Sequence, residues 1–238
     1  MNILIQRECL QNHKTRERKT ILQEGLDNMR SKLDEQLNIL NKTMIEMGAL
    51  CEQSLKRIND NLSNGSEEIY QKVLACQQMI EQKQAQIQSL CLKLLLQQQP
   101  VATDLRVISA ALKMIYDLNR IGIQATDIAE ILRFLGKNNY NNLEILEKIA
   151  NETNSMVKKS IDSYVKLDII KAKEVVQYDD VVDNMFNQIK ADLIKQVSAD
   201  SINGEYLADV LMIAKYYEKI SDHAVNIANW VIFSIVGE

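Results

Sequence analysis

Pro100 is the only proline in 238 residues, and just seven glycines accompany it. Proline breaks helix interiors and glycine weakens them, whereas strands and irregular folds rely on both to reverse direction. A chain this long with so few of either cannot make the many tight turns of a β-rich fold. Aromatic residues, at 5% of the chain, are also too scarce for a sheet-based core. The chain reads as all-α.

The turn and cap residues that do occur cut the chain into six long segments. The breaks fall at Asn61 to Ser66, Gln99-Pro100, Gly136 to Asn142, Asp168, and Ser201 to Gly204. Glycine accepts positive φ at such points, and Ser or Asp caps the helix that follows. Glu67 and Glu68, just after Ser66, put negative charge where a helix dipole favours it. Between breaks the apolar residues recur with a helical rhythm. In the last segment Leu207, Leu211, Ala214, Ile220, Ala224, Ile227 and Val231 mark one stripe.

Residues 119–129 and 218–228 follow a single pattern. Ile121/Ile220, Ala125/Ala224, Ile128/Ile227 and Ala129/Ala228 are identical, and Arg120/Lys219 keep the charge. Such internal similarity marks a unit built twice. One copy carries two carboxylates four residues apart, Glu218 and Asp222; the other has Asn119 and Ile123 in their places. Helices of about 30 residues are about 45 Å long, and short connections make consecutive ones antiparallel neighbours. The expected architecture is therefore two tandem three-helix bundles, over 29–137 and 138–238.

Residues 1–28 stand outside this plan. They are polar and mildly basic (Arg7, Lys14, Arg16, Arg18, Lys19), with no apolar stripe before Ile21. They are expected to be a disordered or adventitious extension rather than a nucleic-acid arm. Gln23-Glu24-Gly25 can be encoded by a purine-rich ribosome-binding sequence just upstream of Met29. Translation is accordingly expected to begin at Met29, which an intact mass of the native protein would check.

A net charge of −4 gives no basic face for nucleic acid. No apolar run is long enough for a membrane span, and the N-terminus has no signal core, so a cytoplasmic protein is expected. Cys9, Cys51, Cys76 and Cys91 show no CxxC spacing and read as reduced, largely buried thiols.

From Met29 onward the chain resembles the PhoU family, phosphate-transport accessory regulators of bacteria and archaea. The resemblance rests on Met29-Arg30 through Met47-Gly48, on Gln98-Gln99-Pro100-Val101-Ala102-Thr103-Asp104-Leu105-Arg106, and on Glu218 to Asn226 followed by Trp230 and Val236-Gly237-Glu238. It covers nearly all of 29–238 and implies the same two-bundle fold. It also implies a non-enzymatic regulator that represses phosphate uptake and phosphate-starvation signalling. The implied partners are the ATPase subunit of the phosphate ABC transporter and a sensor histidine kinase. A homodimer is expected as well.

Members of that family carry acidic pairs four residues apart on the second and third helices of each bundle. By resemblance, those of the C-terminal half are Asp179 with Asp183 and Glu218 with Asp222. Spacing of i, i+4 puts both members of a pair on one helix face, where like charges repel. A bound cation relieves that repulsion, and oxygen-only ligands suit hard ions such as Mg²⁺, Mn²⁺, Ca²⁺ or oxidised iron. Asn226, one turn further, is a candidate carbonyl ligand; Asp180 is a weaker one. The matching positions of the N-terminal half are Gln77, Glu81, Asn119 and Ile123, so no metal is expected there. Asp127, which matches Asn226, is expected to pair with Arg120 or Lys113.

Other features carry less chemistry. His223 reads as a surface or inter-bundle hydrogen-bonder, and Gly48 and Gly122 as points of close helix approach. Asp104 and Arg106 read as an N-cap and an ion-pairing residue at a helix start. No Gly-rich phosphate loop, nucleophile elbow or cysteine–histidine motif is present, so no enzyme activity is expected. A ferritin-like store needs Glu-x-x-His, and residues 220 and 10, three before His223 and His13, are Ile220 and Leu10. The remaining alternative is a metal-free helical scaffold that dimerises through an apolar face.

Overall fold

A computed structural model describes the backbone of residues 2–97, 100–135, 142–199 and 204–237, and the side chains of 30–96, 100–135, 142–196 and 204–237. Six helices account for nearly all of it: α1 (Asn2–Asn59), α2 (Glu67–Gln97), α3 (Ala102–Leu135), α4 (Leu143–Lys166), α5 (Ile169–Ala199) and α6 (Gly204–Val236). No strand occurs among the described residues. Each expected break coincides with a helix end, and the two three-helix units are α1–α3 and α4–α6. The boundary between them, 136–141, lies outside the described residues.

One expectation needs correction. The backbone of residues 2–28 is helical and continuous with α1, which runs for 58 residues, about 87 Å at the usual rise. The physical reason is that a helix already nucleated in the bundle propagates cheaply through Gln, Glu, Lys, Arg and Leu, and Gly25 alone does not stop it. The side chains of this stretch, Cys9 included, lie outside the described residues.

Local chemistry sets the helix starts. Ser66 Oγ accepts a hydrogen bond from the Ile69 amide at 3.3 Å at the head of α2. Asp168 Oδ1 accepts from the amides of Ile170 and Lys171 at 3.1 and 3.0 Å at the head of α5. At the head of α3, Asp104 reaches back to the Val101 amide at 3.2 Å and is itself gripped by Arg30 of α1, 2.8 Å away. Each of these bonds from a backbone amide satisfies a donor that the start of a helix leaves orphaned.

The six helices share one continuous core, from Leu33 on α1 to Val231 on α6. Of the stripe expected on α6, Leu207, Ala214, Ile220, Ala224, Ile227 and Val231 are buried. Leu211 is only partly buried, and Val210, Ile213 and Tyr217 complete the face instead. The two units pack side by side, α3 against α6 and α1 against α4. Gly48 is a point of close approach in the second pair: a Cβ there would sit 3.0 Å from Ile161 Cγ2. Polar ties cross the same seam. Tyr217 OH donates to Asn59 Oδ1 at 2.9 Å, Asn59 Nδ2 donates to the Ala150 carbonyl at 3.2 Å, and Tyr164 OH donates to Asn41 Oδ1 at 2.6 Å. Tyr217 is wholly buried, so its hydroxyl needs that partner.

Candidate metal centre

α5 and α6 run antiparallel, so the acidic turn of one faces that of the other. Asp179, Asp183 and Asp222 each offer a carboxylate oxygen, and the three oxygens all lie within 4.8 Å of one another. All three side chains are partly buried. Asp179 Oδ1 is shielded from solvent and has no hydrogen-bond partner. Loss of hydration holds the Asp179 carboxyl above the usual carboxylate range, and the fields of Asp183, Asp222, Asp180 and Glu218 push the same way. Asp183 is raised too, first by burial and then by Glu218 and Asp222, with Lys215 and Lys219 opposing. An orphaned carboxylate oxygen inside an anionic cluster is the environment a hard cation stabilises, so these residues fit such an ion.

Glu218 stands apart from the three aspartates. It is buried, at 9% exposed, yet turned toward its own helix: Lys215 Nζ lies 2.8 Å and 2.7 Å from its two oxygens. Lys219 pairs with Asp222 and lies 3.5 Å from Glu218. Lys215 and Lys219 supply the counter-charge on the α6 side of the cluster. Lys215 also rests 4.8 Å above the Phe186 ring of α5. Asp180 is exposed and outside the cluster.

Asn226 also lies elsewhere. It is exposed, and its Nδ2 donates to Asp117 Oδ1 on α3 at 3.2 Å. His223 shares that acceptor, with Nδ1 at 2.9 Å, which makes it an inter-bundle contact as expected. No motif marks Asp117 in the sequence.

In the N-terminal bundle the matching positions are joined by hydrogen bonds. Gln77 Nε2 donates to Asn119 Oδ1 at 2.8 Å and to Glu81 Oε1 at 3.2 Å, which brings Gln77, Glu81 and Asn119 together, whereas Glu218, the counterpart of Asn119, stands apart from its aspartates. Gly122 makes room for this: a Cβ on it would lie 2.1 Å from Gln77 Oε1. Asp127 forms no ion pair with Arg120 or Lys113. Burial and Glu130 hold its carboxyl above the ordinary range, partly offset by Arg120, while Lys113 sits over the Trp230 ring of α6, 5.9 Å from its centroid. Arg106 lies along the end of α6, with Nη1 3.5 Å from the Val236 carbonyl.

A sequence model of the PhoU domain matches residues 44–132 and 146–231, one copy in each bundle. The chain is 30% identical over 207 residues to the phosphate-specific transport system accessory protein PhoU homolog of Clostridium acetobutylicum, spanning 86% of this chain and 94% of that one. The PhoU homolog of Borreliella burgdorferi is 29% identical over 220 residues, spanning 88% and 97%. Among solved structures, PhoU from Pseudomonas aeruginosa superposes with a TM-score of 0.83 at 26% identity, over 86% of this chain and 99% of that one. The phosphate transport system regulatory protein PhoU from Streptococcus pneumoniae shares the fold, with a TM-score of 0.79 at 22% identity over 87% and 98%.

Proposed function

The chain belongs to the PhoU family, and from that premise we propose that it is a cytoplasmic regulatory adaptor of phosphate homeostasis. It restrains phosphate uptake through the phosphate ABC transporter and represses phosphate-starvation signalling. The observation that carries this reading is the match of the PhoU domain to both bundles, over nearly the full length of relatives named as accessory proteins of phosphate-specific transport. Its partners are the transporter's ATPase subunit and the sensor histidine kinase of the phosphate-responsive two-component system. No helix among the described residues is long and apolar enough to cross a membrane, so contact with the transporter runs through those partners.

Asp179, Asp183 and Asp222 hold a hard cation in the C-terminal bundle. Glu218 joins them by releasing Lys215. The ion's contribution is charge neutralisation: it ties α5 to α6 and fixes the surface those helices present. Two experiments test the reading. Metal analysis of protein reconstituted with Mn²⁺ should find bound ion that the Asp179→Asn/Asp183→Asn variant loses together with thermal stability. Tagged protein from phosphate-replete cells should recover the transporter ATPase. Recovery of neither the ATPase nor the kinase would overturn the adaptor assignment.

The second reading, a metal-free scaffold, draws on the Lys215–Glu218 and Lys219–Asp222 pairs, which already supply two positive charges to the cluster. It predicts the opposite sign in the first experiment. Removing aspartates would then relieve repulsion and raise the melting temperature.

A further inference from the structure

We propose that the side-chain amide of Gln77 takes the place of a metal ion in the N-terminal bundle, cross-linking α2 to α3 without any cation. The inference rests on the metal reading of the C-terminal bundle only for the contrast it draws. At the position equivalent to Asp179 the chain has a neutral side chain that donates rather than accepts. Gln77 is 5% exposed. Its Nε2 carries two N–H groups, and two acceptors converge on that nitrogen: Asn119 Oδ1 at 2.8 Å across the helix pair and Glu81 Oε1 at 3.2 Å along α2. A carboxylate accepts only, so Glu81 requires the NH₂ end of the amide to point toward it.

The donor therefore stands where a cation would stand in an acidic version of the site, at the convergence of oxygen atoms from two helices. One carboxylate remains in place of four, and Ile123 occupies the position of Asp222. Too little anionic oxygen is left for a hard ion. Gly122 is part of the same device. Gln77 Oε1 is buried without a partner and turned toward it, and any larger residue would displace the amide. The two halves then differ in kind: the α2–α3 seam is held permanently, whereas the α5–α6 seam depends on its ion. A metal-dependent change of shape is thereby confined to the C-terminal bundle.

Hydrogen exchange on the full chain, loaded with Mn²⁺ and then treated with EDTA, tests this. Amides of α2 and α3 around residues 77 and 119 should exchange at the same rate with and without the chelator. In Gln77→Leu, which keeps the bulk and removes the donors, they should exchange about tenfold faster in both conditions. Gln77→Glu, a smaller steric change, sets a second carboxylate beside Glu81, so exchange there should become faster and be slowed by added Mn²⁺. Acceleration of the α2–α3 amides of the unmodified protein by EDTA would overturn the proposal. So would unchanged exchange in both variants. If the α5–α6 amides ignore EDTA, the metal reading of the C-terminal bundle fails while the assignment of Gln77 stands.

Discussion

His223 Nδ1 on α6 lies 2.9 Å from Asp117 Oδ1 on α3, and Asn226, nearly one turn along, donates to the same oxygen at 3.2 Å. The bond places the residue following Asp222 on the seam between the two bundles, so the candidate metal centre and the inter-bundle contact share one turn of helix. Both His223 and Asp117 are largely buried, at 18% and 14% side-chain exposure. Removing the shared acceptor leaves a buried ring nitrogen without a partner. Asp117→Ala should destabilise the fold by about 1–2 kcal/mol. The expected signature is a lower urea midpoint with an unchanged denaturant slope. Asn226→Ala, at an exposed position, should cost much less. Equal costs for the two would place the stabilisation outside the His223–Asp117 bond.

Gly65 separates steric necessity from ordinary loop flexibility. It sits between α1 and α2 against α3, and a Cβ there would lie 2.2 Å from the Leu132 carbonyl oxygen. That neighbour is backbone and cannot swing away. Gly65→Ala should therefore cost about 2–3 kcal/mol, within the range of overpacking substitutions. Gly204, which opens α6 with nothing within 4 Å of an added Cβ, is the control. Gly204→Ala should be neutral or slightly stabilising, because it reduces the freedom of the unfolded chain. Thermal melts of the pair distinguish the two cases directly.

What could be read from the residues alone was what depends on near neighbours in the chain. Ser66 and Asp168 cap α2 and α5 as expected because an N-cap bonds only two or three residues ahead. Gly48 and Gly122 are points of close approach because glycine has little other use inside a helix. The placement of Asn226 was not legible. Eight residues past Glu218, it is rotated by about 80° around the helix at 3.6 residues per turn, enough to face α3 instead of α5. Glu218 differs for another reason. Lys215, three residues before it, shares its face and captures it, and the i, i+4 rule for acidic pairs does not weigh such competing cations. Asp117 was missed because nothing local distinguishes it; its role exists only once α3 and α6 are packed.

The cysteines offer a chemical measure of how tightly the N-terminal bundle is closed. Cys51, Cys76 and Cys91 are free and buried. Burial pushes the Cys91 thiol up to about 12 and raises Cys51 further, and the Cys51 thiol also donates to the Leu118 carbonyl at 3.3 Å. The thiolate is the reactive form, so Cys51 and Cys91 should be nearly inert to iodoacetamide at pH 8 in the native protein. In urea above the unfolding midpoint they should alkylate at ordinary rates. Peptide mapping after a timed pulse checks both. Rapid native labelling of Cys91 would mean that the α1–α2–α3 core opens on the labelling timescale.

Asp127 tests whether the α3–α6 seam carries an electrostatic penalty. In the register of the internal repeat it matches Asn226, and Tyr216 matches Asp117. The two relations mirror each other: Asn226 bonds Asp117, whereas the Asp127 charge, after burial, helps to raise the Tyr216 hydroxyl above its usual range. Asp127 forms no ion pair with Arg120 or Lys113, and burial followed by Glu130 raises its carboxyl above the ordinary value of 3.8, with Arg120 only partly opposing. A carboxyl raised on folding gives stability that is fully present below that ordinary value and is lost as pH climbs through its folded value. At neutral pH the charge is therefore a net cost, and Asp127→Asn should raise the melting temperature by about 1–2 °C. The gain should shrink as the pH falls and vanish below the ordinary carboxylate value, where the native aspartate is itself protonated. Parallel melts of the two proteins from pH 7 to pH 3.5 measure the difference. A lower melting temperature for the variant at pH 7 would show that Asp127 is stabilised as an anion and that the seam carries no such penalty.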